Sequence, residues 1–146
     1  DSQQLEIPEI ETLADVTMNS IEFTKIVLQL KYFGEYVKID MGEDDNIYME
    51  TSGDVGNMKV RIKEKDIEEY ALEEGETYSG TFMLQNLQSF CSFTKLNEVM
   101  TLHFIKDNPL CMLFNLDDWK KEDDDDEEEH KPINYVKFYL APFLDD

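Results

Sequence analysis

From Asn19 onward the apolar positions Ile21, Phe23, Ile26, Val27 and Leu30 recur at helical spacing. Asn19 and Glu22 have the spacing of a capping box, and Gly34 stands where a helix would stop, so the pattern predicts a first helix over residues 20–32. Beyond it the period falls to two. Val37, Ile39 and Met41 alternate with polar neighbours, the turn-like Glu43-Asp44-Asp45-Asn46 follows, and Ile47, Tyr48 and Met49 begin a second strand. Met58, Val60 and Ile62 alternate in a third, set off by Gly53 and Gly56.

The order then recurs. Residues 69–73 read as a weak strand broken by Gly75, and Thr77 to Thr81 leads into a second helix from about Phe82 to Phe93, with Phe82, Leu84, Leu87, Phe90 and Cys91 as its apolar positions. Three strands follow, over 99–105, over 110–116 across the tight Lys106-Asp107-Asn108-Pro109 turn, and over 133–140. With an acidic strand over 11–18 placed before the first helix, both halves read strand, helix, then three strands. That is a repeat of topology rather than of sequence. So many strands with two helices imply antiparallel sheets packed on one face under both helices, an α+β fold. Met100, Leu102 and Phe104 then share the buried face, while Thr101 and His103 share the other.

Composition sharpens this picture. A chain of 146 residues, 41% of them hydrophobic, is enough for one domain with its own core. Its 34 acidic against 13 basic side chains give a net charge of −21, with Arg61 the sole arginine, so its surface as a whole is unsuited to phosphates and any nucleic-acid contact must be local. Cys91 and Cys111 have no metal-type spacing and read as buried free thiols. No apolar run approaches membrane-spanning length, and the polar, acidic start is unlike a signal segment, so a cytosolic or nuclear protein is expected. The absence of an initial methionine, in what reads as a connector, suggests a segment of something longer.

Three passages resemble the proliferating cell nuclear antigen family, in the family's order. Gln4-Leu5-Glu6-Ile7-Pro8-Glu9 is similar to the end of its interdomain connector loop. Glu22-Phe23 through Gly34 to Ser52-Gly53-Asp54-Val55-Gly56-Asn57 resembles the first helix and following strand turn of its C-terminal domain. Tyr139-Leu140-Ala141-Pro142, followed by Phe143-Leu144-Asp145-Asp146, resembles its C-terminal signature. The resemblance implies a DNA-clamp (processivity-fold) domain: residues 1–10 as the connector end, 11–142 as the C-terminal domain with an acidic loop insert at 117–131, and 143–146 as the tail.

It also implies a function: half of a non-enzymatic sliding DNA clamp, a processivity factor for DNA polymerase located in the nucleus. Partner proteins such as polymerase, nuclease and ligase would dock a short motif into a hydrophobic pocket of Gln4, Leu5 and Ile7 from the connector, Asp107 and Pro109 from the strand turn, and Tyr139, Ala141, Pro142 and Leu144 from the tail. Apolar side chains in a loop and at a chain end are suited to such a role; the alternative is that Leu5 and Ile7 only tether the N-terminus while Phe143 and Leu144 cap the core. Phe143 stands where the family commonly has lysine. Weak, non-specific contact with double-stranded DNA would fall to Lys25 and Lys31 of the first helix and to Gln85, Gln88, Ser92 and Lys95 of the second, a thin basic lining. The strand Asn57-Met58-Lys59-Val60-Arg61-Ile62 would form the subunit edge of a homotrimer in the full-length protein, with this segment alone a monomer.

Other chemistry has less support. The eight consecutive acids Glu122 to Glu129 repel one another and predict an exposed loop; they lack the rhythm of a calcium loop, and binding of histones by an acidic module is the alternative from another class. A checkpoint-clamp subunit is the alternative within the fold. No phosphate loop, zinc-protease motif or flanked nucleophile is present, and neither His103 nor His130 has an evident catalytic partner, so neither an enzyme nor a cofactor is expected.

Overall fold

A computed structural model of the chain describes residues 12–42, 44–107, 109–116 and 134–143. The first unit runs β1 (Ala14–Asn19), α1 (Ser20–Lys31), β2 (Tyr36–Met41), β3 (Ile47–Gly53), β4 (Gly56–Arg61) and β5 (Ile67–Leu72). The second runs β6 (Tyr78–Met83), α2 (Leu84–Cys91), a 3-10 segment at Ser92–Leu96, β7 (Val99–Phe104), β8 (Leu110–Asn115) and β9 (Tyr135–Leu140). The strand-helix-three-strand repeat is present, with β5 as one strand more in the first unit. All pairing is antiparallel, in a five-stranded sheet ordered β5-β1-β7-β8-β9 and a four-stranded sheet ordered β4-β3-β2-β6.

Alternation decides which face each strand buries. Val16 and Met18 on β1, Met100, Leu102 and Phe104 on β7, and Val37, Ile39 and Met41 on β2 all turn into one core shared by both sheets. From α1 that core receives Phe23, Val27 and Leu30, and from α2 it receives Leu84, Leu87 and Cys91. Each fully buried large side chain contributes about 1.5–3 kcal/mol relative to exposure. Asn19 caps α1 as expected, its Oδ1 accepting from the Ile21 and Glu22 amides at 2.9 Å.

Several details differ from the sequence expectation. Phe82 belongs to β6, where it pairs with Val37, and α2 begins two residues later at Leu84. Met83 supplies no side-chain cap; instead the Leu84 amide donates to the Glu35 carbonyl at 2.9 Å, so the loop after α1 satisfies the start of α2. The helix also stops at Cys91 and tightens into the 3-10 segment before reaching Phe93. Ile21, expected in the apolar stripe, is 44% exposed. At 100° per residue it lies almost opposite Phe23, on the face that Lys25, Leu28 and Tyr32 share.

Gly34 ends α1, its amide donating to the Leu30 carbonyl at 3.2 Å, but close packing is what requires glycine there. A Cβ at Gly34 would collide with the Thr51 hydroxyl and lie 2.7 Å from the Ser52 carbonyl, and one at Gly53 would strike the Phe33 carbonyl. The loop after α1 is thereby pressed against the β3–β4 hairpin.

Candidate functional site

Phe138 anchors β9 from the inner side. Its ring stacks on Phe90 at 4.5 Å and packs against Phe93 at 4.7 Å, so alternation turns Tyr139 outward, where it is 53% exposed. Leu140 pairs with Leu110, and this register brings Pro109, at the start of β8, to the same end of the strand pair as Ala141 and Pro142. Asp107, Pro109 and Ala141 are exposed and Pro142 is half-buried. Asp107 holds a left-handed turn at φ 57°. The structure therefore gathers Asp107, Pro109, Tyr139, Ala141 and Pro142 at one corner of the five-stranded sheet. Gln4, Leu5, Ile7 and Leu144, the remaining members of the expected pocket, lie outside the described residues, as does the insert 117–131.

The outer face beside this corner carries a row of polar side chains in register across the sheet. Asp15 on β1 faces His103 on β7, His103 faces Cys111 on β8, and Cys111 faces Tyr139 on β9. His103, without an evident partner in the sequence, meets Asp15 through Nδ1 at 2.7 Å. Burial pushes the Tyr139 hydroxyl above its ordinary value, and the adjacent Cys111 adds to the effect. Burial likewise pushes the Cys111 thiol up, with Lys137 and Tyr139 acting in the opposite direction. Carboxylate, imidazole and thiol thus stand side by side, but an activated thiol needs its pKa lowered, and this one is raised. Among the described residues no group of three or more His, Cys, Asp or Glu side chains is placed to hold a metal ion, and both cysteines are free and buried.

On the helix pair, Lys25, Lys31, Gln85, Ser92 and Lys95 are exposed and Gln88 is half-buried. Lys31 and Gln85 come together around a depression of about 290 Å³ that Gly34, Glu35, Met83 and Leu84 also line. Lys25 is partly neutralised by Glu22 at 3.3 Å. Leu28 at 41% and Tyr32 at 83% exposure share its helix face, so the exposed side of α1 is more apolar than its lysines suggest. Patterning could have found this stripe, because Ile21, Leu28 and Tyr32 lie at helical spacing opposite the core stripe.

The expected interface strand is an edge. Among the described residues β4 pairs only with β3, and Asn57, Lys59 and Arg61 are exposed while Met58 and Val60 are half-buried. Ile62 departs from the expected interface set: it lies past the strand, its amide donates to the Ile47 carbonyl at 3.0 Å, and its side chain is in the core at 4% exposure. No helix among the described residues is long and apolar enough to cross a membrane.

Two antiparallel sheets over a pair of adjacent helices, built from a repeated unit, define an α+β clamp-type domain. Residues 6–122 match the family model described as proliferating cell nuclear antigen, C-terminal domain, and the chain belongs to that family. The proliferating cell nuclear antigen of Chaetomium thermophilum is 30% identical to it over an alignment of 151 residues, covering 100% of this chain and 52% of that protein. The chain therefore spans about half the length of this curated relative.

Proposed function

We propose that the chain serves as the C-terminal half of a sliding DNA clamp, a non-enzymatic processivity factor that closes into a nuclear homotrimer around DNA and holds replication and repair proteins there. Membership of the family supports this reading. The observation that supports the docking role is the corner where the β8–β9 register places Pro109, Tyr139, Ala141 and Pro142 at one end of the strand pair, with Tyr139 53% exposed. Exposed aromatic and proline side chains on a strand end offer a rigid apolar seat for a peptide anchor at small entropic cost. Gln4, Leu5, Ile7 and Leu144 complete the proposed pocket.

The helix pair, with Lys25, Lys31 and Lys95 among Gln85, Gln88 and Ser92, is proposed to face DNA through phosphates alone. Three lysines give weak, salt-sensitive contact. The β4 edge, Asn57 to Arg61, is proposed to pair with a neighbouring subunit, since an unpaired edge strand is a ready template for another strand.

The test is a titration of a fluorescent peptide carrying glutamine, an aliphatic residue and two aromatic residues, the motif type that the family docks. Saturable binding to the 146-residue chain that Tyr139→Ala weakens at least tenfold is expected. Equal affinity for wild type and Tyr139→Ala, in a variant that melts normally, would remove the pocket from this corner.

A further inference from the structure

Three residues past the β9 pair Leu140–Leu110, the chain has crossed from the five-stranded sheet to the four-stranded one. There the Phe143 amide donates to the Thr81 carbonyl of β6 at 2.8 Å. The Phe143 ring lies against Tyr36 of β2, ring centroids 4.6 Å apart and tilted by 40°. Among the described residues β6 is an edge strand whose strand partner is β2, and the tail meets it on the side away from β2. Ala141 and Pro142 are therefore suspended between two anchors on different sheets. Pro142 limits the span further, since its ring fixes φ and it offers no amide hydrogen.

We propose that Phe143 is a latch for the docking corner, a positioning residue that holds the tail across the two sheets so that Tyr139, Ala141 and Pro142 stand preformed for a partner peptide. This rests on the docking reading given above. Phe143 is 47% exposed, too open to be chiefly a core residue, so its main effect lies in the tilted ring contact with Tyr36 and in the order it imposes on the tail. A tail without the latch samples other conformations, and the peptide's apparent affinity falls by the fraction of molecules that are binding-competent. The signal in the sequence was an aromatic residue at a position where a solvated lysine would keep the backbone bond to Thr81 but give no ring contact with Tyr36.

Two measurements on the full 146-residue chain test the proposal: hydrogen exchange of the amide at position 143 without peptide, and titration with the same fluorescent peptide. Phe143→Ala should speed that exchange and weaken peptide binding roughly threefold to tenfold, the range expected for loss of one aromatic pair, with little change in melting temperature. Phe143→Tyr should restore both. Tyr36→Ala should weaken binding similarly, and combining it with Phe143→Ala should cost no more than either alone, because both break the same contact. If wild type binds, Tyr139→Ala does not, and Phe143→Ala binds like wild type, the latch is refuted while the pocket stands. If wild type does not bind the peptide, the docking reading fails and the latch proposal falls with it; protection at position 143 would then report an anchored tail with no docking role.

Discussion

Asn19 ends β1, where it pairs with Val99, and caps α1 through its side chain, so one residue serves both strand and helix. Asn19→Ala should cost about 1 kcal/mol of folding free energy, read as a lower urea midpoint at unchanged slope. Tyr78 is a core residue whose ionisation opposes folding. Burial first, and the charge of Asp107 second, push its hydroxyl up to about 12 from 10.0. The unfolded chain therefore releases this proton at lower pH than the folded chain does, so the contribution of Tyr78 to stability is fully present below pH 10.0 and is lost as pH rises from there through about 12. Tyr78→Phe should flatten that alkaline decline in melting temperature; a decline of unchanged steepness would show that other groups produce it.

Element by element, α1 carries two stripes with different tasks. Phe23, Val27 and Leu30 face the core, whereas Ile21, Lys25, Leu28 and Tyr32 face outward. If this outward face lies over phosphates, Leu28 occupies a place where a cation would act, and its 41% exposure lets a longer side chain replace it without disturbing the core. Leu28→Arg should strengthen binding to duplex DNA and steepen its salt dependence by about one unit of log-log slope, measured by fluorescence anisotropy at several salt concentrations. An unchanged slope would mean that this face does not meet the backbone. The boundary between β6 and α2 belongs to the same scale: neither Phe82 nor Met83 signals a helix start, and the Glu35 carbonyl supplies what a cap would have.

For the whole molecule the dominant fact is a net charge of −21 on 146 residues. Such an excess opposes the compact state through self-repulsion, which salt screens over about 10 Å at 0.1 M. The melting temperature should therefore rise as sodium chloride is added, the opposite of what exposed stabilising ion pairs would produce. Two such pairs among the described residues, Lys25–Glu22 at 3.3 Å and Lys38–Asp40 at 4.0 Å, have their lysines well exposed and their carboxylates partly so. On the proposed reading the same charge keeps any DNA contact local, and Lys25, Lys31 and Lys95 of the helix pair are exposed to make it.

Alternation and helical spacing along the chain determined most of the elements and which face each one buries, because the periods of strand and helix are set locally by backbone geometry. Val37, Ile39 and Met41, or Met100, Leu102 and Phe104, could be assigned to the core from their spacing alone. The quoted motifs likewise carried the family. Tertiary structure decided what depends on partners distant in sequence. Phe82 became a strand residue by pairing with Val37, Gly34 and Gly53 were required by a loop packed on a hairpin, and His103 gained Asp15 only when β1 and β7 became neighbours. The tail is the clearest case: three residues beyond the last strand, Phe143 takes its amide acceptor from Thr81 and its aromatic partner from Tyr36, two contacts that exist only because the two sheets meet there.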